Sequence, residues 1–220
     1  MSIALLLSDG RFPAGGYAHS GGLEAAVEDG LGVEDVPLFV AGRLRGVAAA
    51  ESRMAVAAAR AARRDDLEAL LSLDREAEAR CPSPPLRATA RRLGAQLLRS
   101  AAAVWRDELI DRYRGTSEST PRAVAFGVVA AEAGLDDLQL AQAYLYEDAA
   151  TVTAAAVRLL PVDSATTARW LVEAAPLLDR LAHEAAAASD DPRELPAGFA
   201  PALELRSLAH AAREGRLFAS

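Results

Sequence analysis

The chain has 220 residues, of which 51% are apolar but only 5% aromatic, with a formal charge of −7 and an isoelectric point near 5.1. That acidic balance excludes a nucleic-acid partner, whose phosphates need a basic surface. All 24 basic residues are arginine, which removes the lysine required by a phosphate-binding P-loop or by Schiff-base chemistry. The longest stretch free of charge, residues 12–23, falls well short of the ~20 apolar residues of a membrane span, so no membrane is expected. Residues 2–8, SIALLLS, lack the basic n-region of a signal peptide, and the lone Cys81 makes no internal disulfide. Both point to a cytoplasmic protein.

The first informative segment is FPAGGYAHSGGLE, residues 12–24, with four of the chain's fifteen glycines. Glycine loses the most conformational entropy on folding, so these pairs predict a non-helical N-terminal segment that turns tightly or approaches a neighbour closely. Residues 23–29 follow as a short helix ended by Gly30. Asp35 and Pro37 then start a longer helix through RLRGVAAAESRMAVAAARAARR, with Gly42 and Gly46 spaced for close packing. Asp65 or Asp66 opens a helix that ends near Arg80, before the break at Cys81-Pro-Ser-Pro-Pro. Ser83 and Pro84 are an N-cap and first-turn proline for a helix through LRATARRLGAQLLRSAAAVW. RGTSEST, residues 114–120, reads as loop, and Thr120-Pro121 as the start of AVAFGVVAAEAG, which stops at Gly134.

Asp136 and Gln139 form a capping-box pattern at the head of the longest periodic segment, which ends before Pro161. Leu138, Ala141, Leu145, Ala149, Val152, Ala156 and Leu159 step by three or four along it. Asp163 begins the next helix, with a kink expected at Pro176. Residues 189–201 read as a connector and a last helix starts near Ala202. No period-two alternation is sustained anywhere, and 52 residues are alanine, the strongest helix former. The reading is an all-α fold, one domain over residues 1–220, of roughly eight to ten packed helices.

No catalytic constellation emerges. Ser20 follows His19, yet AHSGG lacks the first glycine of a nucleophile elbow and no strand precedes it. His19, His183 and His210 are far apart and lack the convergent ligands of a metal site, so capping or surface positions are expected for them. His19 carries the most chemistry around it, with Tyr17, Ser20 and Glu24 in the same stretch. The acid pairs Asp65-Asp66, Asp136-Asp137 and Asp190-Asp191 read mostly as helix caps. No metal and no cofactor is assigned.

LLLSDGRFPAGGYAHSGGLEAA resembles the N-terminal signature of UreF, the urease accessory protein family. Four further segments are similar in order: RATARRLG, AVAFGVVAAEAGL, AYLYEDAATVTAAAVRLLPV and the terminal RLFAS. The resemblance departs at Arg122-Ala123, where the family usually carries His-Pro, and at Val162-Asp163. It implies an all-helical, homodimeric, non-enzymatic chaperone that joins UreD/UreH and the GTPase UreG on apo-urease, delivers nickel and modulates the GTPase cycle. Carried onto this chain, the partner-binding positions are Pro13, Gly15, Gly16, Tyr17, His19, Ser20, Glu24, Tyr144, Tyr146, Arg216, Leu217, Phe218 and Ser220. Two roles stay open for the glycine-rich segment, building the partner surface from beneath or touching the partner directly. Two also stay open for the tail, anchoring the partner or folding onto the chain's own core. A strict GTPase-activating role through an arginine in trans, and a helical regulatory domain unconnected with urease, are the alternatives.

Overall fold

Helix-forming alanine and well-placed caps shape the chain, which is described by a computed structural model over residues 3–8, 19–198 and 200–211. The predicted positions Pro13, Gly15, Gly16, Tyr17, Arg216, Leu217, Phe218 and Ser220 lie outside the described residues. Two short helices come first, α1 (Ile3–Ser8) and α2 (Leu23–Glu28). Helix α3 (Val36–Arg43) runs through a π turn at Leu44–Ala48 into α4 (Ala49–Arg63), making one long rod. There follow α5 (Leu67–Ala79), α6 (Pro84–Val104), α7 (Glu108–Thr116), α8 (Arg122–Glu132), α9 (Asp137–Leu159), α10 (Ser164–Ala186) and α11 (Pro201–Ala211). The fold is all-α.

The predicted start signals act as chemistry dictates. Asp66, Ser83 and Asp163 each accept a hydrogen bond from the backbone N–H three residues on. At α9 the box closes both ways, Asp136 accepting from the Gln139 N–H at 2.8 Å and Gln139 from the Asp136 N–H at 3.2 Å. Gly134, at φ 73°, ends α8 in the left-handed conformation that glycine adopts without steric cost.

Helix α4 lies at the centre, packed against α5, α8, α9 and α10. Its run Met54–Ala59 is buried throughout, and residues 123–130 of α8 are buried on every side. The two helices meet at Gly127, where an added Cβ would stand 2.2 Å from the Ala55 carbonyl oxygen and 2.7 Å from the Ala58 Cβ. Alanine on one side and glycine on the other permit that backbone approach.

Three local expectations need correction. Residues 114–116 are the last turn of α7, a helix capped by Asp107 and filled by buried Ile110 and Tyr113. Thr120 does not cap α8; it sits at φ 45° and Pro121 takes the N-cap position without a side-chain bond. Of the two spaced glycines, Gly46 lies beneath Gly198 of the connector, whereas Gly42 is exposed with nothing within 4 Å of a Cβ built there.

Candidate functional site

The turn at residues 19–22 shows what the second glycine pair is for. Gly21 and Gly22 have φ 61° and 88°, the left-handed region. A Cβ on Gly22 would stand 2.1 Å from Leu203 of α11, and one on Gly21 2.8 Å from Val152 of α9. Ser20 is buried and its hydroxyl accepts the Glu24 N–H at 3.2 Å, fixing the entry into α2. Glu24 is buried in turn and faces His210, with Oε2 3.2 Å from Nε2. His210 Nδ1 lies 3.4 Å from Glu28 Oε2. A surface or capping position was expected of His210; it is instead 2% exposed and ties α11 to α2.

Beneath this turn lies a cluster of buried charge. Arg43, the last residue before the π turn, donates from Nε and Nη2 to Asp148 at 2.8 and 2.7 Å and from Nη1 to the Gly21 carbonyl at 3.1 Å. One guanidinium thus joins α3, α9 and the glycine turn in the bidentate geometry that suits arginine. Arg122, at the head of α8, ion-pairs with Glu147 and stands 4.6 Å above the Tyr144 ring. Phe126 meets the same ring edge-on at 5.1 Å. Tyr144 donates its hydroxyl to Glu51 Oε2 at 2.8 Å. Arg122-Ala123, the departure from the family pattern, therefore stands inside the cluster.

Burial governs the protonation of these groups. It pushes the Glu51 and Glu147 carboxyls up, against the pull of Arg43 on the first and Arg122 on the second. Burial also raises the Tyr144 hydroxyl well above its ordinary value. His19 is lowered to about 3, first by burial and then by the charges of Arg122 and Arg43. As a residue it is half-buried, but its Nε2 is sealed from solvent and has no hydrogen-bond partner among the described residues. His19, Arg43, Glu51 and Arg122 border a pocket of about 160 Å³, closed elsewhere by residues that include Cys81 and Leu203.

The sequence-predicted positions divide by this geometry. His19 and Ser20 share the turn, Glu24 follows in the first turn of α2, and Tyr144 shares the cluster below it. Ser20, Glu24 and Tyr144 are all buried, while Tyr146 is 42% exposed. Ser20 serves a turn rather than a nucleophile–base pair, since its hydroxyl is aimed at the Glu24 N–H. Among the described residues no group of three His, Cys, Asp or Glu side chains stands close enough to hold a metal ion. The clamps Arg43–Asp148 and Arg122–Glu147 and the residue Glu51 were missed by sequence reasoning. The signal was present in AYLYEDAATV: Asp148 stands four residues from Tyr144 and from Val152, on the face that α9 buries.

Fold and cluster together define an all-helical protein in which a largely buried set of ion pairs holds helices and the N-terminal turn in place. The family model described as UreF matches residues 32–175. The urease accessory protein UreF of Mycobacterium sp. strain JLS is 34% identical over 224 residues, covering 100% of this chain and 99% of the relative. The proteins of the same description from Mycolicibacterium vanbaalenii and Mycobacterium marinum are also 34% identical, with the same coverage. The chain belongs to the UreF family of urease accessory proteins.

Proposed function

We propose that the chain acts as a non-enzymatic chaperone of urease maturation. It binds UreD/UreH and the GTPase UreG, joins them on apo-urease in the cytoplasm, and supports nickel delivery while modulating the GTPase cycle. The observation that carries this reading is the full-length similarity to urease accessory proteins together with a cluster whose ionic groups are spent on one another. A self-associating surface fits the exposed stripe of α3, where Leu38 is 74% exposed and Gly42 lies open, so a homodimer is part of the proposal. Family membership sets aside the regulatory domain unconnected with urease. A strict GTPase-activating role would need an arginine free to enter another protein's site; Arg43 and Arg122, held by acids inside this one, are not candidates for it.

The reading is tested by expressing urease with its accessory proteins, with and without this chain. Nickel per active site and urea hydrolysis should both fall when the chain is omitted and return when it is supplied. Full nickel loading without it would overturn the proposal. The purified chain alone should turn over neither nucleotide nor urea.

A further inference from the structure

Among the described helices longer than α3, only α6 contains no aspartate or glutamate, in a chain whose net charge is −7. Its 21 residues carry Arg87, Arg91, Arg92 and Arg99 instead. Arg87 stands in the first turn, at the positive end of the helix dipole, with no acid there to offset it. None of the four has an acid three or four positions away on the helix, the arrangement that stabilises solvated helices. Departures of this kind from good local design concentrate where a protein binds something.

Two of these arginines are engaged within the fold. Arg87 donates to the Cys81 carbonyl, and Arg91 pairs with Glu78 of α5. Arg92 and Arg99 are both exposed; among the described residues Arg92 reaches only Thr89 Oγ1, at 3.3 Å, and Arg99 has no polar partner. Exposed arginines on other elements find acids, as Arg63 does in Asp137, Arg112 in Asp65 and Arg193 in Asp191. Ala88, Arg92, Ala95, Arg99 and Ala103 step by three or four and so form one row along α6. The two guanidiniums are two turns apart, about 10 Å, and the alanines between them leave room for another backbone to come close.

Charge and shape choose the occupant. Guanidinium forks bind carboxylates in pairs of parallel hydrogen bonds. A nucleic acid or an anionic membrane would face the field of the whole acidic protein, which opposes it, whereas one helix with carboxylates two turns apart meets this row alone. We infer that the outer face of α6 docks an acidic helix of another protein, its carboxylates held by Arg92 and Arg99 and its backbone lying over Ala88, Ala95 and Ala103. This inference does not depend on the role in urease maturation.

The test uses the purified full chain at low salt and two helical peptides, each of three heptads, EAAAQAA in one and QAAAQAA in the other. Fluorescence anisotropy should show the glutamate peptide binding at least about tenfold more tightly than its glutamine counterpart. Arg92→Gln with Arg99→Gln removes the charges and Ala95→Glu sets a like charge between them; each should weaken that binding at least about tenfold with circular dichroism unchanged. Arg45→Gln with Arg180→Gln, which removes two exposed arginines elsewhere, should leave it within about twofold. Should one row variant fail to fold, the other decides. Absence of glutamate-peptide binding, undiminished binding by the row variants, or equal loss in the Arg45/Arg180 variant would each overturn the inference. So would tighter binding of a duplex oligonucleotide or of phosphatidylserine vesicles, or a dimer mass lost with Arg92 and Arg99, which would assign the face to a second copy.

Discussion

Arg43 and Asp148 are 13% and 3% exposed, so their attraction is little screened and removing one leaves the other buried without its counter-charge. Asp148→Ala should therefore cost about 3–5 kcal/mol of stability by urea unfolding, and the double substitution Arg43→Met with Asp148→Leu should recover much of it. A loss under about 1 kcal/mol would show the clamp to behave as an exposed pair. His19 makes a separate prediction through pH. Its folded value, about 3, lies below the ordinary 6.5, so between those values the unfolded chain binds the proton more readily. The contribution of the neutral imidazole is complete above pH 6.5 and is lost as pH falls toward 3. The stability curve of His19→Leu should accordingly be flatter over that range by up to about 1.4 kcal/mol per pH unit; parallel curves would contradict it. Residues of this kind were only half legible. The glycines, Ser20 and Glu24 announced themselves by local composition, whereas Arg43 and Arg122 find their acids 105 and 25 residues away, and Glu24 meets a histidine of the last described helix. No local pattern names such partners.

Helices and their starts were more legible than their packing, because caps act within four residues and burial does not. Asp66, Ser83, Asp136 and Asp163 perform as their spacing predicts. Helix α7 escaped notice because RGTSEST is rich in turn formers, yet Tyr113 and Ser117 both donate to the buried Asp74 of α5 and pin that segment. Thr120 escaped for a similar reason: its carbonyl packs against Gly94, where a Cβ would come within 1.9 Å, so the tertiary approach of α6 decides its backbone. Two glycines of the same helical appearance should then respond oppositely to alanine. Gly127→Ala collides with the backbone of α4 and should cost about 1–3 kcal/mol. Gly42→Ala meets open space in a helix and should add roughly 0.5–1 kcal/mol. Thermal unfolding of the two variants checks both signs, and a stabilised Gly127→Ala would contradict the α4–α8 crossing.

For the whole molecule, the family was legible in the N-terminal signature, and the fold class followed from alanine and caps. The pairing of helices and the inward charge cluster were not, because they arise from contacts distant in sequence. The proposed chaperone works by joining other proteins, and we propose, from the family resemblance of the tail, that Arg216, Leu217 and Phe218 reach UreD/UreH as one cation and two apolar anchors. Anchors of this kind commonly cost about 2 kcal/mol or more when removed, so deletion of residues 216–220 should weaken that complex at least ~30-fold. Light scattering on the chain alone, before and after the deletion, should give a dimer mass in both cases, with unchanged circular dichroism. The most direct measurement is binding of the full and shortened chains to purified UreD/UreH by size-exclusion chromatography with light scattering. The account predicts a stable complex with the full chain and a greatly weakened one with the shortened chain. Failure of the full chain to form any complex would contradict the proposed function, and undiminished binding of the shortened chain would contradict the anchor.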